Sequence, residues 1–570
     1  MKRVVETNRS SSAYPRKRAV TACQVCRARR TKCDQKKPRC SFCEQSGAEC
    51  ISDPAAPSSF DPASLAILER LGVLEQKLDS MQLPAGSRNA QDPITPSPVS
   101  QSTITLLPST ASLLPGNLET VLAWPALQRS VSHLLQTPGP KARQPLPPNP
   151  ILGDELNPSS TQEYLDSFFK YVHIKNPVLD ATHSRNLVQR VSLTGPAWDA
   201  ESCLALLICA NGAIIRPFSS ASLSSQEPQI STGQALFNAA QRRMGIVLDS
   251  AGLVEAQCLF FAGVYLMSIL RPYDAWRSFL QGLAICQTFR SINSSTTQSE
   301  YSGNRNTAEE SIYWSCWKSE CELRFELGLP DFGSSSGPAL TAPQRFPSLP
   351  STPTHDDQVL RAWYFYLAEI SLWRLEMGAM KDLAACLGKM QQGKNEQERL
   401  LDLLCGVSEI YTQQSVAWQD SLPSMVSISE STCGGTGTET DSLRFILRGR
   451  KTYVDELITW PFIVLALGQS EFNPRARAWL SKGVAAHLER LEINSPGFYH
   501  RHHGTWLMIR SSARSICILI AIARTFGADS FPVKWRGTVE KSIEMLVFWS
   551  GEVDGLEEVA DLCRGHLAGD

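Results

Sequence analysis

Six cysteines within one short window constrain this chain more than any other feature. They read Cys23-x2-Cys26-x6-Cys33-x6-Cys40-x2-Cys43-x6-Cys50, which is one unit, Cys-x2-Cys-x6-Cys, written twice. Structural zinc takes four tetrahedral ligands, and thiolate is its preferred one. Each half of the pattern offers three. Two ions can each reach four if two of the six sulfurs bridge both metals, and such a site is closed, with no open position for catalysis. Simpler cysteine chemistries fit less well. A single four-cysteine site leaves two cysteines without a role. A redox Cys-x2-Cys pair needs one such motif in a βαβ setting. A disulfide framework belongs to secreted chains, and behind the opening Met-Lys-Arg-Val-Val-Glu there is no apolar leader segment. The expected cofactor is two Zn2+ per chain.

The charge pattern points the same way. The formal net charge is −1 over 570 residues, yet Lys and Arg far outnumber Asp and Glu in the first 50. A basic head on a mildly acidic body suggests a polyanion-binding end. The remaining cysteines are scattered. Cys203, Cys209, Cys258, Cys286 and Cys316 sit in apolar runs and read as small buried hydrophobes of a reducing compartment. The longest apolar run, Leu259 to Leu270, is shorter than the about 20 residues a bilayer span needs. The sequence therefore predicts a soluble intracellular chain with no membrane partner.

Composition divides the chain. Residues 1–15 read as a disordered tail, 16–52 as the cysteine module and 53–63 as a proline-containing linker; 64–83 read as a short helix. Fourteen prolines with much Ser, Thr and Gln fall between 84 and 158, a composition that predicts a disordered linker. Within it, the apolar island Leu118 to Leu135 around Trp124 reads as a passing contact with the body, or as a partner-binding motif. Helical periodicity then takes over: 159–335 as a helical middle region, 336–356 as a loop, 357–570 as a C-terminal helical part. Tyr164, Leu165, Phe168, Phe169 and Val172 mark one amphipathic face; Trp276, Leu280 and Leu283 mark another. Breaks at 330–353 and 421–442 divide the body into blocks. No convincing strand pattern occurs. The expected fold is mainly all-α: a small irregular zinc-organised N-terminal module, a short coiled coil, a disordered linker and a large helical regulatory body.

The run Ala22-Cys23-Gln24-Val25-Cys26-Arg27-Ala28-Arg29-Arg30-Thr31-Lys32-Cys33-Asp34, followed by Lys37-Pro38-Arg39-Cys40, resembles the fungal zinc binuclear cluster (six-cysteine) transcription factors. That resemblance implies that Cys23 and Cys40 are the bridging thiolates. Two departures stand out: Gln24 where the family often has an acid, and Arg30 where it usually has its base-reading lysine. The body resembles the same family's regulatory middle region in the stretch Phe168 to Pro177, in Arg271 to Trp276, in Tyr313 to Trp317 through Pro330, and in Trp460-Pro461-Phe462.

Family members place the end of the helix between the second and third cysteines in the major groove of double-stranded DNA. The resemblance implies CGG-type half-sites, with Arg29, Arg30 and Lys32 at the bases. Arginine suits this role because its planar fork can take both major-groove acceptors of a guanine. Arg16, Lys17, Arg18, Arg27, Lys36, Lys37 and Arg39 are expected at phosphates, where they add affinity rather than sequence reading. Similar basic runs also direct nuclear import, and the expected location is the nucleus.

Ile67, Leu71, Leu74, Leu78 and Met81 are spaced 4, 3, 4, 3, the rhythm of a coiled coil. With Leu71 at a, Arg70 at g faces Glu75 at e of a second chain. Gly72 weakens this helix by about 1 kcal/mol relative to Ala. A homodimer is the expected assembly.

By resemblance the body regulates RNA polymerase II transcription through the transcription machinery or co-regulators, as an activator of a fungal secondary-metabolite gene cluster. A repressor, or a general metabolic regulator, would carry the same reader. A small-molecule effector belongs to the family's possibilities, but no ligand site is legible. The rival class is an enzyme with a zinc tag. His500, His502 and His503 cluster, yet lack the i, i+4 spacing and carboxylates of a catalytic zinc site, and read as a wet loop. Gly434-Gly435-Thr436-Gly437 reads as a flexible loop, and no Gly-x-Ser-x-Gly elbow occurs. No catalytic residue is expected.

Overall fold

A computed structural model describes residues 26, 33–34, 36, 38–47, 50, 113–127, 156–216, 227–289, 303–330, 347, 357–388, 396–429, 438–468, 473–527 and 531–568. Every regular element among them is helical. The chain divides into two units, Met1–Ala66 and Ile67–Asp570. The first contains the helix α1 (Ser41–Gln45). The expected tail 1–15, linker 53–63 and coiled-coil helix 64–83 lie outside the described residues.

The second unit is a stack of helices around one apolar core. Its elements are α2 (Leu118–Leu122), α3 (Pro158–Ser167), α4 (Ala181–Thr194), α5 (Ala200–Ile214), α6 (Glu227–Gln241), α7 (Met244–Asp249), α8 (Leu253–Ser268) and α9 (Pro272–Cys286). They continue with α10 (Gly303–Glu326), α11 (Asp357–Gly388), α12 (Glu396–Asp420), α13 (Thr438–Leu467), α14 (Pro474–Asn494), α15 (Thr505–Phe526), α16 (Trp535–Trp549) and α17 (Leu556–Ala568).

Local sequence sets where these helices start. Asn157, Asp180 and Asp199 each precede a helix, and each side-chain oxygen accepts from a backbone N–H of the first turn, at 2.8, 2.6 and 2.7 Å. Pro158, Pro272 and Pro474 occupy first-turn positions, where no backbone donor is missed. Gly195 and Gly527 end α4 and α15 with φ near +79° and +78°.

Burial then sorts the helices. α5 from Ser202 and α8 from Ala256 are buried on every face, the expected place for helices that are apolar all round. They pack on each other, and α3 crosses α5 so closely that a Cβ at Gly212 would stand 2.0 Å from the Tyr164 carbonyl oxygen. Consecutive helices pair through most of the unit, and α15 packs against α2, α8, α13, α14, α16 and α17. By length and composition α15 could cross a membrane, but 89% of its apolar window is buried inside the protein. It is the central core helix.

Three expectations need correction. Residues 113–127 lie inside the expected linker 84–158, yet they form α2 and a following 3-10 turn packed into the core. Leu118, Val121 and Leu122 make an i, i+3, i+4 face, and Asn117 caps it; averaging over a proline-rich stretch hid this. The passing contact is thus an integral part of the body. The face from Tyr164 to Val172 is not one α-helix, because Phe168–Val172 form a π turn and His173–Lys175 a 3-10 turn. The expected break at 421–442 is partly structured, with Val426 and Ile428 buried and α13 starting at Thr438. The blocks on either side of 336–356 share a single apolar core, as parts of one helical body would.

Charged residues also enter that core, paired as burial requires. Lys318 of α10 meets Glu369 of α11. Arg450 of α13 lies 2.9 Å from Glu322 and 3.6 Å from Glu369. Arg490 of α14 holds Glu456 at 2.6 Å, while Arg514 of α15 joins Glu326 and Glu456. The cysteines Cys203, Cys209, Cys258, Cys286 and Cys316 are free and buried, as their apolar surroundings predict.

Candidate metal centre and nucleic-acid interface

Five of the six N-terminal cysteines lie in the described residues, and they gather. Cys26, Cys33 and Cys40 form one triad, and Cys40, Cys43 and Cys50 a second, with all sulfurs of each triad within 4.8 Å of one another. Cys40 belongs to both. Its sulfur lies 3.5 Å from that of Cys26, and its backbone N–H donates to the Cys50 sulfur at 3.3 Å. Two thiolates on one tetrahedral zinc, each about 2.3 Å from it, stand about 3.8 Å apart. The Cys26–Cys40 spacing fits that geometry.

The local fold explains the gathering. Cys40 is the N-cap of α1, so the first turn of the helix carries Cys43 back beside it. The loop before it is tied down by Asp34, whose carboxylate accepts from the Ser41 hydroxyl at 2.5 Å and the Ser41 backbone N–H at 3.0 Å. Those two hydrogen bonds, the hydroxyl's first, hold the exposed Asp34 carboxyl below its ordinary value. Cys26, Cys40 and Cys43 are buried and form this unit's small core; Cys33, Cys50 and Phe42 pack around it. A unit whose core is sulfur has little apolar area to stabilise it, so a donor set of this kind fits a structural metal centre.

Of the expected DNA-contacting residues, Lys36 and Arg39 are described. Both are exposed, and Lys36 stands 3.9 Å from Asp34 with 73% of its side chain in solvent. Arg16, Lys17, Arg18, Arg27, Arg29, Arg30, Lys32 and Lys37 lie outside the described residues, as do Cys23 and the dimerisation set Ile67, Leu71, Leu74, Leu78 and Met81.

The histidine cluster is not the wet loop its sequence suggests. His502 is buried, His500 and His503 are half-buried, and the His500 and His502 rings stack with centroids 5.4 Å apart. Burial, then the charge of Lys175, lowers the pKa of each; His500 falls to about 4. The expected Gly434 to Gly437 loop lies outside the described residues.

Comparison with known proteins agrees with the cysteine geometry. Residues 21–59 match the family described as the fungal Zn(2)-Cys(6) binuclear cluster domain, and residues 165–333 match the fungal specific transcription factor domain. The chain thus carries both domains of the fungal zinc binuclear cluster transcription factors, and its N-terminal domain is of a kind that binds two zinc ions. The chain is 28% identical over 272 residues to the putative transcription factor ecdB of Aspergillus rugulosus, covering 46% of this chain and 45% of that one. It is 39% identical over 66 residues to the Zn(2)-C6 fungal-type transcription factor afumD of Aspergillus fumigatus, or 11% of this chain and 18% of that one. Over 57 residues it is 40% identical to oleate-activated transcription factor 1 of Saccharomyces cerevisiae, or 10% and 5% of the two chains. The aligned stretch spans less than half the length of each relative.

Proposed function

We propose that this chain is a nuclear, sequence-specific DNA-binding transcription factor that reads CGG-type half-sites as a homodimer and activates a fungal secondary-metabolite gene cluster. The observation that carries the reading is Cys40, shared by two cysteine triads in the most basic part of the chain. Cys23, Cys26, Cys33, Cys40, Cys43 and Cys50 would hold two zinc ions, with Cys23 the second shared thiolate. Bound there, zinc ties the two halves of the module together in place of an apolar core. Arg29, Arg30 and Lys32 then stand on a segment anchored at both ends by Cys26 and Cys33, a rigid base from which a planar guanidinium can take both acceptors of a guanine. Arg16, Lys17, Arg18, Arg27, Lys36, Lys37 and Arg39 neutralise phosphates; the exposure of Lys36 and Arg39 suits that role. The relatives described as transcription factors support the class, and a closed thiolate site supports a regulator rather than an enzyme.

The test separates reading from holding. Losing a bidentate base contact costs about 1–3 kcal/mol and relaxes discrimination at that base pair, whereas losing a phosphate contact weakens all sequences alike and lowers the salt slope by about one unit. Arg30→Ala narrows the gap between CGG and mutated half-sites in titrations at several salt concentrations; Lys36→Ala leaves it unchanged. An equal loss on every sequence for Arg30→Ala removes Arg30 from the base-reading set.

A further inference from the structure

The helical body carries a half-open cavity of about 500 Å³ where α8, α10, α11, α13 and α15 meet. That volume lies within the range of small-molecule sites, about 300–1,000 Å³. Much of its wall is apolar, including Phe260, Phe279, Trp373, Met377, Met380 and Phe445. Of its carboxylates, Glu322, Glu326 and Glu369 are already held by Arg450, Arg514 and Lys318 respectively. Lys175, the Nε2–H of His502 and Glu376 have no such partner among the described residues.

Lys175, on the 3-10 turn after α3, is only 7% exposed and lines the cavity. Its ammonium makes no hydrogen bond or ion pair among the described residues; burial pulls its pKa down to about 8 against the longer-range pull of Glu369, so it is still mostly charged at neutral pH. His502, also 7% exposed, is the second. Its Nδ1 accepts from the Gly504 backbone N–H at 2.9 Å, so in the neutral ring, which burial favours, the proton sits on Nε2. That Nε2–H is buried and has no hydrogen-bond partner. The third is Glu376, buried and unpaired, on the same helix as Glu369 and two turns further along, about 10 Å at 1.5 Å per residue. Burial pushes its carboxyl up to about 8, so at neutral pH it too is a donor.

An unpartnered buried donor is costly, and a cation more so. Two of them, Lys175 and His502, sit close enough that the lysine charge depresses the histidine. An anionic acceptor would satisfy both, and the carboxylates in the wall cannot, because each of the three charged ones already has its own cation. We propose that this cavity is a binding site for an apolar carboxylic acid, its carboxylate on Lys175 Nζ and His502 Nε2, its apolar frame along Phe260, Trp373 and Met380, and Glu376 donating to an oxygen at its far end. The site is independent of the DNA-reading assignment above, since it draws on residues of the other unit.

The experiment uses the full zinc-loaded chain with N-phenyl-1-naphthylamine as fluorescent reporter, displaced by 6-phenylhexanoate or by 6-phenyl-1-hexanol. These two differ only in the charged group. One reporter binds per chain, and the acid displaces it at about tenfold lower concentration than the alcohol, the equivalent of one charge-assisted hydrogen bond. Lys175→Met removes that preference and leaves displacement by the alcohol unchanged. Met380→Trp, which fills the cavity from its apolar wall, abolishes saturable reporter binding while the chain keeps a cooperative melt. The proposal is overturned by equal displacement by acid and alcohol, by a preference that survives in Lys175→Met, or by reporter binding that persists in Met380→Trp. The last arm decides the matter even if Lys175→Met does not fold.

Discussion

The guanidinium of Arg510 grips the carboxylate of Glu119 through two hydrogen bonds, at 2.7 and 2.5 Å, across 391 positions of sequence. Arg510 is buried on the central helix α15, and it also donates to the Glu326 carbonyl oxygen at 2.9 Å. A few residues on, Trp124 lies against Trp460 with ring centroids 5.4 Å apart. The 113–127 segment is therefore locked to the body by a bidentate ion pair and an aromatic contact. Breaking a fully buried pair from one side costs about 3–5 kcal/mol; because Glu119 is one-third exposed and Glu326 remains near Arg510, Glu119→Gln is expected to cost about 1–2 kcal/mol. A lower urea midpoint and earlier protease cleavage near Trp124 would show it.

The shared position of Cys40 makes its substitution unlike the others. Cys40→Ser removes a sulfur from both triads, whereas Cys26→Ala or Cys33→Ser removes one from a single triad. Structural zinc binding is worth about 10–16 kcal/mol, so metal loss and unfolding of the first unit go together. Zinc counts by native mass spectrometry are expected to fall from two to none for Cys40→Ser. For Cys26→Ala an intermediate with one ion precedes the apo form.

Buried Glu376 gives the body a specific pH response. Below its ordinary value of 4.5 the carboxyl is protonated in both the folded and the unfolded chain, and costs nothing. Between 4.5 and about 8 the unfolded chain has released the proton and the folded one retains it. Stability from this group is thus fully present at acid pH and is lost as pH rises through that window, by up to about 1.4 kcal/mol per unit. Burial raises the carboxyl most; Glu322 adds to the rise, and Arg450, Arg490 and Arg514 hold it to that value. Glu376→Gln removes the proton exchange, so its stability relative to wild type should rise by about 3.5 kcal/mol between pH 5 and pH 8 in denaturant titrations.

The 67–81 heptad carries the proposed dimerisation. Proline in a helix interior costs about 3 kcal/mol, so Leu71→Pro with Leu78→Pro removes the helix while sparing the cysteine module. Binding to single half-sites should be retained and cooperative binding to paired half-sites lost, as sedimentation of the full chain on matched duplexes would report. Two chains per paired site in the double variant would exclude this heptad as the dimer contact.

The cysteine module is legible in the linear sequence because its chemistry is local. Zinc valence and the repeated spacing call for the sulfurs to converge; the five described ones do, and Cys40, which the family resemblance implies as a bridge, belongs to both triads. Helix starts are equally local: Asn157, Asp180 and Asp199 each accept from a donor three residues away. The all-α class follows from periodicity. What the sequence conceals depends on partners remote in the chain. Leu118, Val121 and Leu122 read as an island in a proline-rich linker until α15 supplies their other wall. Nothing local to Lys318, Glu369, Arg450 and Arg514 marks them as interior, yet Lys318 and Arg450 meet Glu369, and Arg514 meets Glu326, inside the body. His502 reads as a wet loop residue, and only packing turns its Nε2–H into an unpartnered buried donor beside Lys175. Short-range valence, capping and helical period are written in neighbouring residues; burial of charge, closure of a cavity and the pKa of Glu376 depend on which distant surfaces meet, and tertiary packing alone decides that.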